Sequence, residues 1–235
     1  MRAIILAGGK GTRLKPYTTL IPKPLVPIGN EWPILEVIIR QLAGSGFRHI
    51  TITVNHLAEL IRAFFGDGSR WGVKIDYSYE ESPLGTIGPL TLIKDLPENF
   101  LVMNGDILCN LNYGDFLKYH SKCRNKVTVS AFKRKVKIDF GIIDHDAAQS
   151  ITGFSEKPEL KFDVSMGIYG VNRAVIKALP KAEPYGFDDL MLDGIKRGAR
   201  YEARVFNGFW LDIGRPEDYD YCNENFKSIK KKLGL

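Results

Sequence analysis

Six residues near the amino terminus, Gly8-Gly9-Lys10-Gly11-Thr12-Arg13, set three glycines, a hydroxyl and two cations directly behind the apolar run Ala3 to Leu6. Glycines after a buried strand let backbone N–H groups approach a phosphate closely. Two familiar phosphate loops are excluded. A GxGxxG dinucleotide pattern starting at Gly9 needs glycine where Leu14 stands. The GxxxxGK[ST] pattern is absent, because Lys10 lies inside the loop and Arg13 follows Thr12. A purely structural turn is the competing reading, but a turn alone does not need three glycines followed by Thr-Arg. Downstream, Pro22 and Pro24 flank Lys23, which predicts extended backbone and an ammonium aimed in a set direction. A lysine between prolines is by itself an ordinary loop residue; its meaning comes from the combination.

Such a loop needs a sheet edge to hold it. Ala3 to Leu6, Ile50 to Val54, Val73 to Tyr79 and Phe100 to Met103 read as strands, the last running into Asn104-Gly105-Asp106. Pro33 opens a helix whose apolar positions Ile34, Leu35, Ile38, Ile39 and Leu42 share one face, closed by Gly44 and Gly46. Leu57, Leu60, Ile61, Phe64 and Phe65 follow helical spacing, and Ile87 to Lys94 reads as a short helix. This alternation predicts a parallel sheet covered on both faces. After about residue 125 the strands Val127 to Phe132, Phe140 to Ile143, Ile151 to Phe154 and Ser165 to Val171 follow one another with short turns. Helices return at Arg173 to Leu179 and Phe187 to Lys196, before a strand from Val205 to Ile213 and a helix from Pro216 to Lys232. The expected fold class is α/β: a Rossmann-like mixed sheet flanked by helices, with an antiparallel lobe around the same cleft, in one domain spanning residues 1–235.

The 235 residues are 44 % hydrophobic and 26 % charged, enough for a sizeable core without disulfides or metals as staples. Collagen, low-complexity disorder and disulfide scaffolds are excluded. No apolar run is long enough to span a membrane, and the amino terminus has no secretory h-region. Cys109, Cys123 and Cys222 are scattered and read as reduced thiols of a cytoplasmic protein. A balance of 33 basic to 27 acidic residues suits polyanions. Lys133, Arg134, Lys135 and Lys137, and also Lys230, Lys231 and Lys232, read as solvated surface. No nucleic-acid recognition motif and no aromatic-basic interleaving is present.

The segment Leu6 to Pro27, LAGGKGTRLKPYTTLIPKPLVP, resembles the opening motif of the sugar-1-phosphate nucleotidyltransferases, the nucleoside-diphosphate-sugar pyrophosphorylases. Further motifs of that family follow in order: Leu84-Gly85-Thr86-Ile87-Gly88, Asn104-Gly105-Asp106, Glu156-Lys157-Pro158, Gly167-Ile168-Tyr169 and Trp210-Leu211-Asp212-Ile213-Gly214. The resemblance covers the chain to about Tyr219 and is strongest to mannose-1-phosphate guanylyltransferase-like members without the additional C-terminal β-helix. The acetyltransferase or regulatory functions of that β-helix are therefore not expected.

The resemblance implies transfer of a nucleotidyl group from an NTP to a sugar 1-phosphate, releasing pyrophosphate. It assigns Arg13 and Lys23 to catalysis, and Leu6, Ala7, Gly8, Gly9, Gly11, Thr12, Arg13, Glu80, Gly85 and Thr86 to the nucleotide. Gly105, Glu156, Lys157, Ser165 and Gly167 fall to the sugar phosphate, with residues 1–125 mainly the nucleotide half and 126–235 mainly the sugar-phosphate half. Two polyanions must meet, so cations must offset their repulsion. Magnesium suits carboxylates and phosphate oxygens, and Asp106 and Asp212 are the expected ligands. Asp106 ends a buried strand, and Asp212 stands in an apolar setting where an unpaired carboxylate is expensive. Asp188 precedes a helix and reads as a cap. None of His49, His56, His120 and His145 falls in a motif.

Glu80 occupies the position at which this family reads the base. Guanine offers two adjacent N–H donors, which an ionised carboxylate accepts in parallel, so Glu80 favours GTP. The alternatives are a uridylyl- or thymidylyltransferase acting on glucose-1-phosphate or another sugar 1-phosphate, and a non-catalytic relative that senses sugar nucleotides. The sugar, mannose or a related hexose or heptose, stays open, as does assembly into a homo-oligomer. Two departures bear on the pockets: Ser165-Met166-Gly167 stands where many members have Asn-Ala-Gly, and Ile87 replaces a common alanine.

Overall fold

Period-two alternation sets the first strand, β1 (Arg2–Leu6): Ala3 and Ile5 enter the core on one face of the sheet, Ile4 the core on the other. The computed structural model describes residues 1–55, 57–181 and 183–235. After β1 come two 3₁₀ turns, Thr12–Leu14 and Lys23–Leu25, and a small hairpin of β2 (Pro27–Ile28) and β3 (Trp32–Pro33). Next are α1 (Ile34–Gly44), β4 (His49–Val54), α2 (Ala58–Phe65), β5 (Lys74–Tyr79), a 3₁₀ segment Gly88–Leu92, β6 (Asn99–Asn104), β7 (Ile107–Cys109) and α3 (Tyr113–Cys123). The remaining elements are β8 (Val127–Lys137), β9 (Ile142–His145), β10 (Ile151–Ser155), β11 (Glu159–Asn172), α4 (Arg173–Lys177), α5 (Phe187–Lys196), β12 (Tyr201–Phe206), β13 (Trp210–Asp212), α6 (Pro216–Glu224) and α7 (Phe226–Leu233).

Seven strands form the main sheet in the order β12-β8-β11-β6-β1-β4-β5. β11 alone runs against its neighbours; the other pairings are parallel. The chain winds outward from β1 through β4 to β5, then returns to lay β6 on the other side of β1. That reversal makes the carboxyl ends of β1 and β6 a topological switch point, where open α/β sheets bind ligands. One face packs on α1 and α7 through Ile34, Ile38, Leu42, Phe226 and Ile229. The other packs on the 88–92 segment, α4 and α5 through Leu90, Val175, Ile176 and Leu190. The mixed α/β sheet with small antiparallel additions agrees with the sequence expectation.

Several boundaries differ from that expectation. Residues 87–94 give only a 3₁₀ segment, Gly88–Leu92. In α2, Ala58, Ile61 and Phe65 are buried while Leu60 and Phe64 face outward, so the apolar spacing marks a wider stripe than the core uses. The strand expected from Val205 to Ile213 is two strands. The Asn110 side chain accepts the N–H of Phe209 at 2.7 Å and peels the chain from β8 onto β7. The terminal helix breaks at Asn225, whose amide donates to the Tyr221 carbonyl, and α7 turns to seat Phe226 against Gly29. A Cβ at Gly29, where φ is +60°, would lie 1.8 Å from the Phe226 ring. The lysine run of α7 is not wholly solvated: Lys230 pairs with Glu31 and lies 4.3 Å over the Trp32 ring, and Lys232 lies 5.2 Å from the Phe209 ring. Helix α3 and the β7–β13 pairing carried no sequence expectation.

β8 and β11 stay paired beyond the last β12 contact, out to Lys137 opposite Glu159. β9 and β10 form a second two-stranded ribbon past that end. Because β11 runs antiparallel to β6, this arm projects beyond the carboxyl ends of the parallel strands.

Candidate active site

The glycine loop leaves β1 at the switch point, held by a bond from the Ala7 N–H to the Thr53 carbonyl at 3.1 Å. Gly8 lies under Glu80: a Cβ there would lie 2.6 Å from Oε1, the tip of that side chain, which would have to turn aside. Gly11 adopts φ +62° beneath Thr18, whose hydroxyl donates to the Gly11 carbonyl at 2.7 Å. Gly9 faces open space. Buried Leu14 anchors the following turn and leaves Arg13 exposed, with no ion-pair partner among the described residues.

Lys23 departs from the extended backbone expected of it. Pro22 is extended, but Lys23 opens a 3₁₀ turn, which the fixed φ of Pro24 accommodates. Its ammonium still has a defined target, Oδ2 of Asp106 at 2.5 Å. Asp106 follows β6, whose exit is fixed by the Gly105 N–H donating to the Leu6 carbonyl at 2.9 Å. The second oxygen of Asp106, Oδ1, is buried without a hydrogen-bond partner among the described residues.

The β7–β13 register brings Asp212 beside Asp106: Asp212 stands opposite Ile107, and the Ile213 N–H donates to the Asp106 carbonyl at 3.0 Å. Burial first, and the Asp106 charge second, push the Asp212 carboxyl above its usual range; Lys23 and Arg13 partly offset this. An orphaned buried carboxylate oxygen next to a second carboxylate that resists ionisation is a site short of positive charge, and a divalent cation fits it. Among the described residues no third His, Cys, Asp or Glu joins the pair.

Two adjoining cavities share Leu6, Gly9, Arg13 and Asp106. The smaller, about 260 Å³, is completed by Ala7, Gly11, Thr12, Lys23, Pro24, Gly105 and Gly214. The larger, about 460 Å³, runs past Gly8 to Glu80, Gly85 and Thr86. Glu80 follows β5; its carbonyl accepts from the Asn55 amide at 2.9 Å and its Oε2 from the Leu84 N–H at 3.3 Å. Burial raises its carboxyl pKa, partly offset by the Leu84 N–H. Gly85 adopts φ +78°, and a Cβ there would meet the Tyr185 carbonyl oxygen at 2.6 Å. The Thr86 hydroxyl accepts the N–H of Phe187, the first residue of α5, at 2.7 Å.

On the other side of the cleft, Gly167 has φ +73°, and a Cβ there would lie 2.7 Å from Nδ2 of Asn104. The Ser165 hydroxyl donates to the Tyr169 hydroxyl at 3.1 Å and accepts the Gly167 N–H at 3.3 Å. Glu156 and Lys157 lie on the arm between β10 and β11, more than half exposed, 3.8 Å from each other, and line neither cavity. The cap expected of Asp188 falls to its neighbour: Asp189 Oδ2 accepts the Gly186 N–H at 2.9 Å. His120 is buried against Thr128 and pushed down to about 4, and His49 pairs with Asp76. His56 lies outside the described residues. The three cysteines are free.

Sequence reasoning gave no role to Lys10, Thr53, Asn55 and Pro89, which line the larger cavity together with Pro83 and with Asn104 of the Asn104-Gly105-Asp106 motif. Lys10 was visible inside the glycine loop, and Asn55 as a polar residue directly after a buried strand.

A glycine loop at a switch point, faced by Arg13, by Lys23 and by two neighbouring carboxylates, forms a cleft whose backbone N–H groups and cations suit phosphate groups. The chain belongs to the nucleotidyl transferase family, which it matches over residues 2–228. It is 33% identical over 227 residues to the mannose-1-phosphate guanylyltransferase catalytic subunit beta of Danio rerio, covering 93% of this chain and 62% of that protein. The subunit of the same name from Drosophila melanogaster is 32% identical over 225 residues, covering 93% and 60%. The chain thus spans about three fifths of the length of these relatives. HddC of Yersinia pseudotuberculosis superposes with a TM-score of 0.75 at 28% identity, covering 96% of this chain and 99% of that one. HddC complexed with GMP-PN gives a TM-score of 0.73 over the same shares.

Proposed function

We propose that the protein transfers a guanylyl group from GTP to mannose-1-phosphate or a related hexose or heptose 1-phosphate, giving the GDP-sugar and pyrophosphate. The observation that carries this reading is the Lys23–Asp106 pair beside Asp212 at the foot of the glycine loop. The relatives named as guanylyltransferases and the HddC complex with GMP-PN support the choice of nucleotide.

In this reading a phosphate oxygen of the sugar 1-phosphate attacks the α-phosphorus of GTP. The new O–P bond forms as the bond to the β-phosphate oxygen breaks, and pyrophosphate leaves with that electron pair. Leu6 and Ala7 back the nucleotide, and Gly8, Gly9, Gly11 and Thr12 wrap its phosphates. Arg13, exposed and unpaired, clasps the leaving pyrophosphate with its planar fork. Lys23 balances charge on the α-phosphate. Glu80 takes the guanine edge, with Gly85 and Thr86 beside the base. Gly105, Ser165 and Gly167 border the sugar, Glu156 holds its hydroxyls, and Lys157 its phosphate. Asp106 and Asp212 would hold magnesium, which when bound supplies positive charge to phosphate oxygens.

The same reading treats residues 1–235 as one domain, with nucleotide and sugar-phosphate halves meeting at about residue 125. It places the protein in the cytoplasm, in line with three free thiols. Among the described residues no helix is long and apolar enough to cross a membrane. The test is a matrix of ATP, CTP, GTP, UTP and dTTP against sugar 1-phosphates, scored by pyrophosphate release. Release with GTP and mannose-1-phosphate, or a heptose 1-phosphate, is the expected result; silence across the GTP row refutes it.

A further inference from the structure

The helix that follows Asp212 is short of core contacts. Ile213, Gly214 and Arg215 are all that separates Asp212 from Pro216, the first residue of α6. Among the described residues of α6, Cys222 alone is buried. Tyr219, Asp220 and Asn223, at i, i+1 and i+4, form a polar face that core packing does not explain. What that face meets is the segment that carries Arg13 and Lys23.

The contacts fall at Tyr17, Pro27 and Gly29. The Tyr17 ring lies 4.5 Å from that of Tyr219, tilted by 50°, and its hydroxyl donates to Oδ1 of Asp220 at 3.3 Å. The Tyr219 hydroxyl donates to the Pro27 carbonyl at 2.8 Å. The Asn223 side-chain oxygen accepts the Gly29 N–H at 2.8 Å. Tyr17 stands four residues after Arg13, and Pro27 four after Lys23, so α6 grips the segment just beyond each cation.

The grip matters most at Arg13. Lys23 is already fixed by its bond to Asp106. Arg13 lines both cavities but is exposed, with no ion-pair partner among the described residues, so its backbone must place it. That backbone has few anchors. Of the described residues from Lys15 to Ile21, Thr18 alone is buried, and its bond to the Gly11 carbonyl reaches back toward the glycine loop. Leu20 is 82% exposed. Segments with so little burial are the ones that open locally. Tyr17 on α6 supplies the missing outer anchor, and the helix that supplies it is the one that leads directly from Asp212.

We infer that Tyr17 is a positioning residue: docked on Tyr219 and Asp220, it fixes the loop through which Arg13 reaches the cavity. The inference rests on the transferase reading for what Arg13 does there. A group displaced by about 1 Å from its working geometry can cost up to a hundredfold in rate.

Pyrophosphate release and hydrogen exchange on the full chain test it. Tyr17 is partly exposed, so Tyr17→Ala should leave the thermal transition nearly in place. With GTP and the best sugar 1-phosphate it should lower kcat roughly tenfold. It should also speed amide exchange across residues 14–26. Tyr17→Phe keeps the ring on Tyr219 and should recover most of the rate. In an Arg13→Ala background, Tyr17→Ala should cost less than about twofold, because the group it positions is gone. A loss caused by weakened folding alone would be equal in both backgrounds, and that result overturns the inference. So does unchanged kcat or unchanged exchange in Tyr17→Ala, or a Tyr17→Phe chain no better than Tyr17→Ala. An unaltered chain that is silent with every nucleotide refutes the transferase reading and takes the inference with it, a result distinct from an active chain indifferent to Tyr17.

Discussion

Nζ of Lys23 and Oδ2 of Asp106 lie 2.5 Å apart, the one from the loop after β1 and the other from the turn after β6. Both side chains are mostly buried, so each charge depends on the other. Lys23→Met strands a buried carboxylate and should destabilise the fold by about 3 kcal/mol, the low end for a broken buried pair. Adding Asp106→Asn should recover most of that stability and none of the activity. Urea titrations of the single and double variants measure the recovery; additive losses would show that the two charges do not depend on each other.

Asp212 gives the opposite sign. Its carboxyl is pushed up in the fold, so between the ordinary carboxylate range and the raised value the folded chain holds more protons than the unfolded one. Stability therefore falls as pH rises through that window. Asp212→Asn should remove this slope, raise Tm at neutral pH and greatly lower kcat. Magnesium should raise the Tm of the unaltered chain but not of Asp106→Asn or Asp212→Asn, calcium should support activity poorly, and a chelator should abolish it. Equal magnesium shifts in all three proteins would remove the metal from this pair.

Arg13 and Lys157 are expected to act at different stages. Arg13→Ala should lower kcat and kcat/KM together, the mark of an interaction made in the transition state. Lys157→Ala should chiefly raise KM for the sugar 1-phosphate. Steady-state kinetics with each substrate varied decides it, and the reverse pattern exchanges the two roles.

In the proposed reading Glu80 takes the guanine edge, so Glu80→Gln would keep the side chain's shape but turn one acceptor into a donor opposing a guanine N–H. The cost is roughly 1–3 kcal/mol, about tenfold to a hundredfold in kcat/KM for GTP. Relative use of UTP or dTTP should rise. Inosine triphosphate, lacking the 2-amino group, should be the poorer substrate before the change and lose less by it. Identical ranking of the four nucleotides in both proteins would show that Glu80 does not read the base.

Gly29→Ala probes the seat of α7 away from any chemistry. The added methyl collides with Phe226 and the backbone has φ +60°, so the loss should be roughly 1–3 kcal/mol, seen as a Tm lower by several degrees. An unchanged Tm would mean that Phe226 leaves its seat freely.

What the sequence disclosed follows from range. The glycine loop and the strand ending at Asp106 are local: a few adjacent residues state the backbone geometry they need, whereas the flanking prolines did not disclose the 3₁₀ turn at Lys23. The Asp106–Asp212 approach was read only through family resemblance. It depends on a three-residue pairing, β7 with β13, between segments far apart in sequence and too short for any pattern. Helix α3 was silent because its apolar content is thin; its cap, Asn112 accepting the Asp115 N–H at 3.0 Å, was the available signal. In α2, spacing alone could not say which side of an over-wide apolar stripe the sheet would cover. The placement of Glu156 and Lys157 on a projecting arm had no signature at all, since register beyond a sheet edge is set by strand length rather than by the motif itself.

The Thr86 hydroxyl that lines the larger cavity also receives the first N–H of α5. The neighbouring Gly85 is wedged against the Tyr185 carbonyl, and the N–H groups of Ile87 and Gly88 donate to that same oxygen. This stretch of cavity wall is therefore stiff: it inherits the rigidity of a packed helix in place of the slack of a surface loop. Its conformational entropy is surrendered when the chain folds, so a ligand of the kind proposed would have little left to order there, and more of the contact energy would remain for affinity.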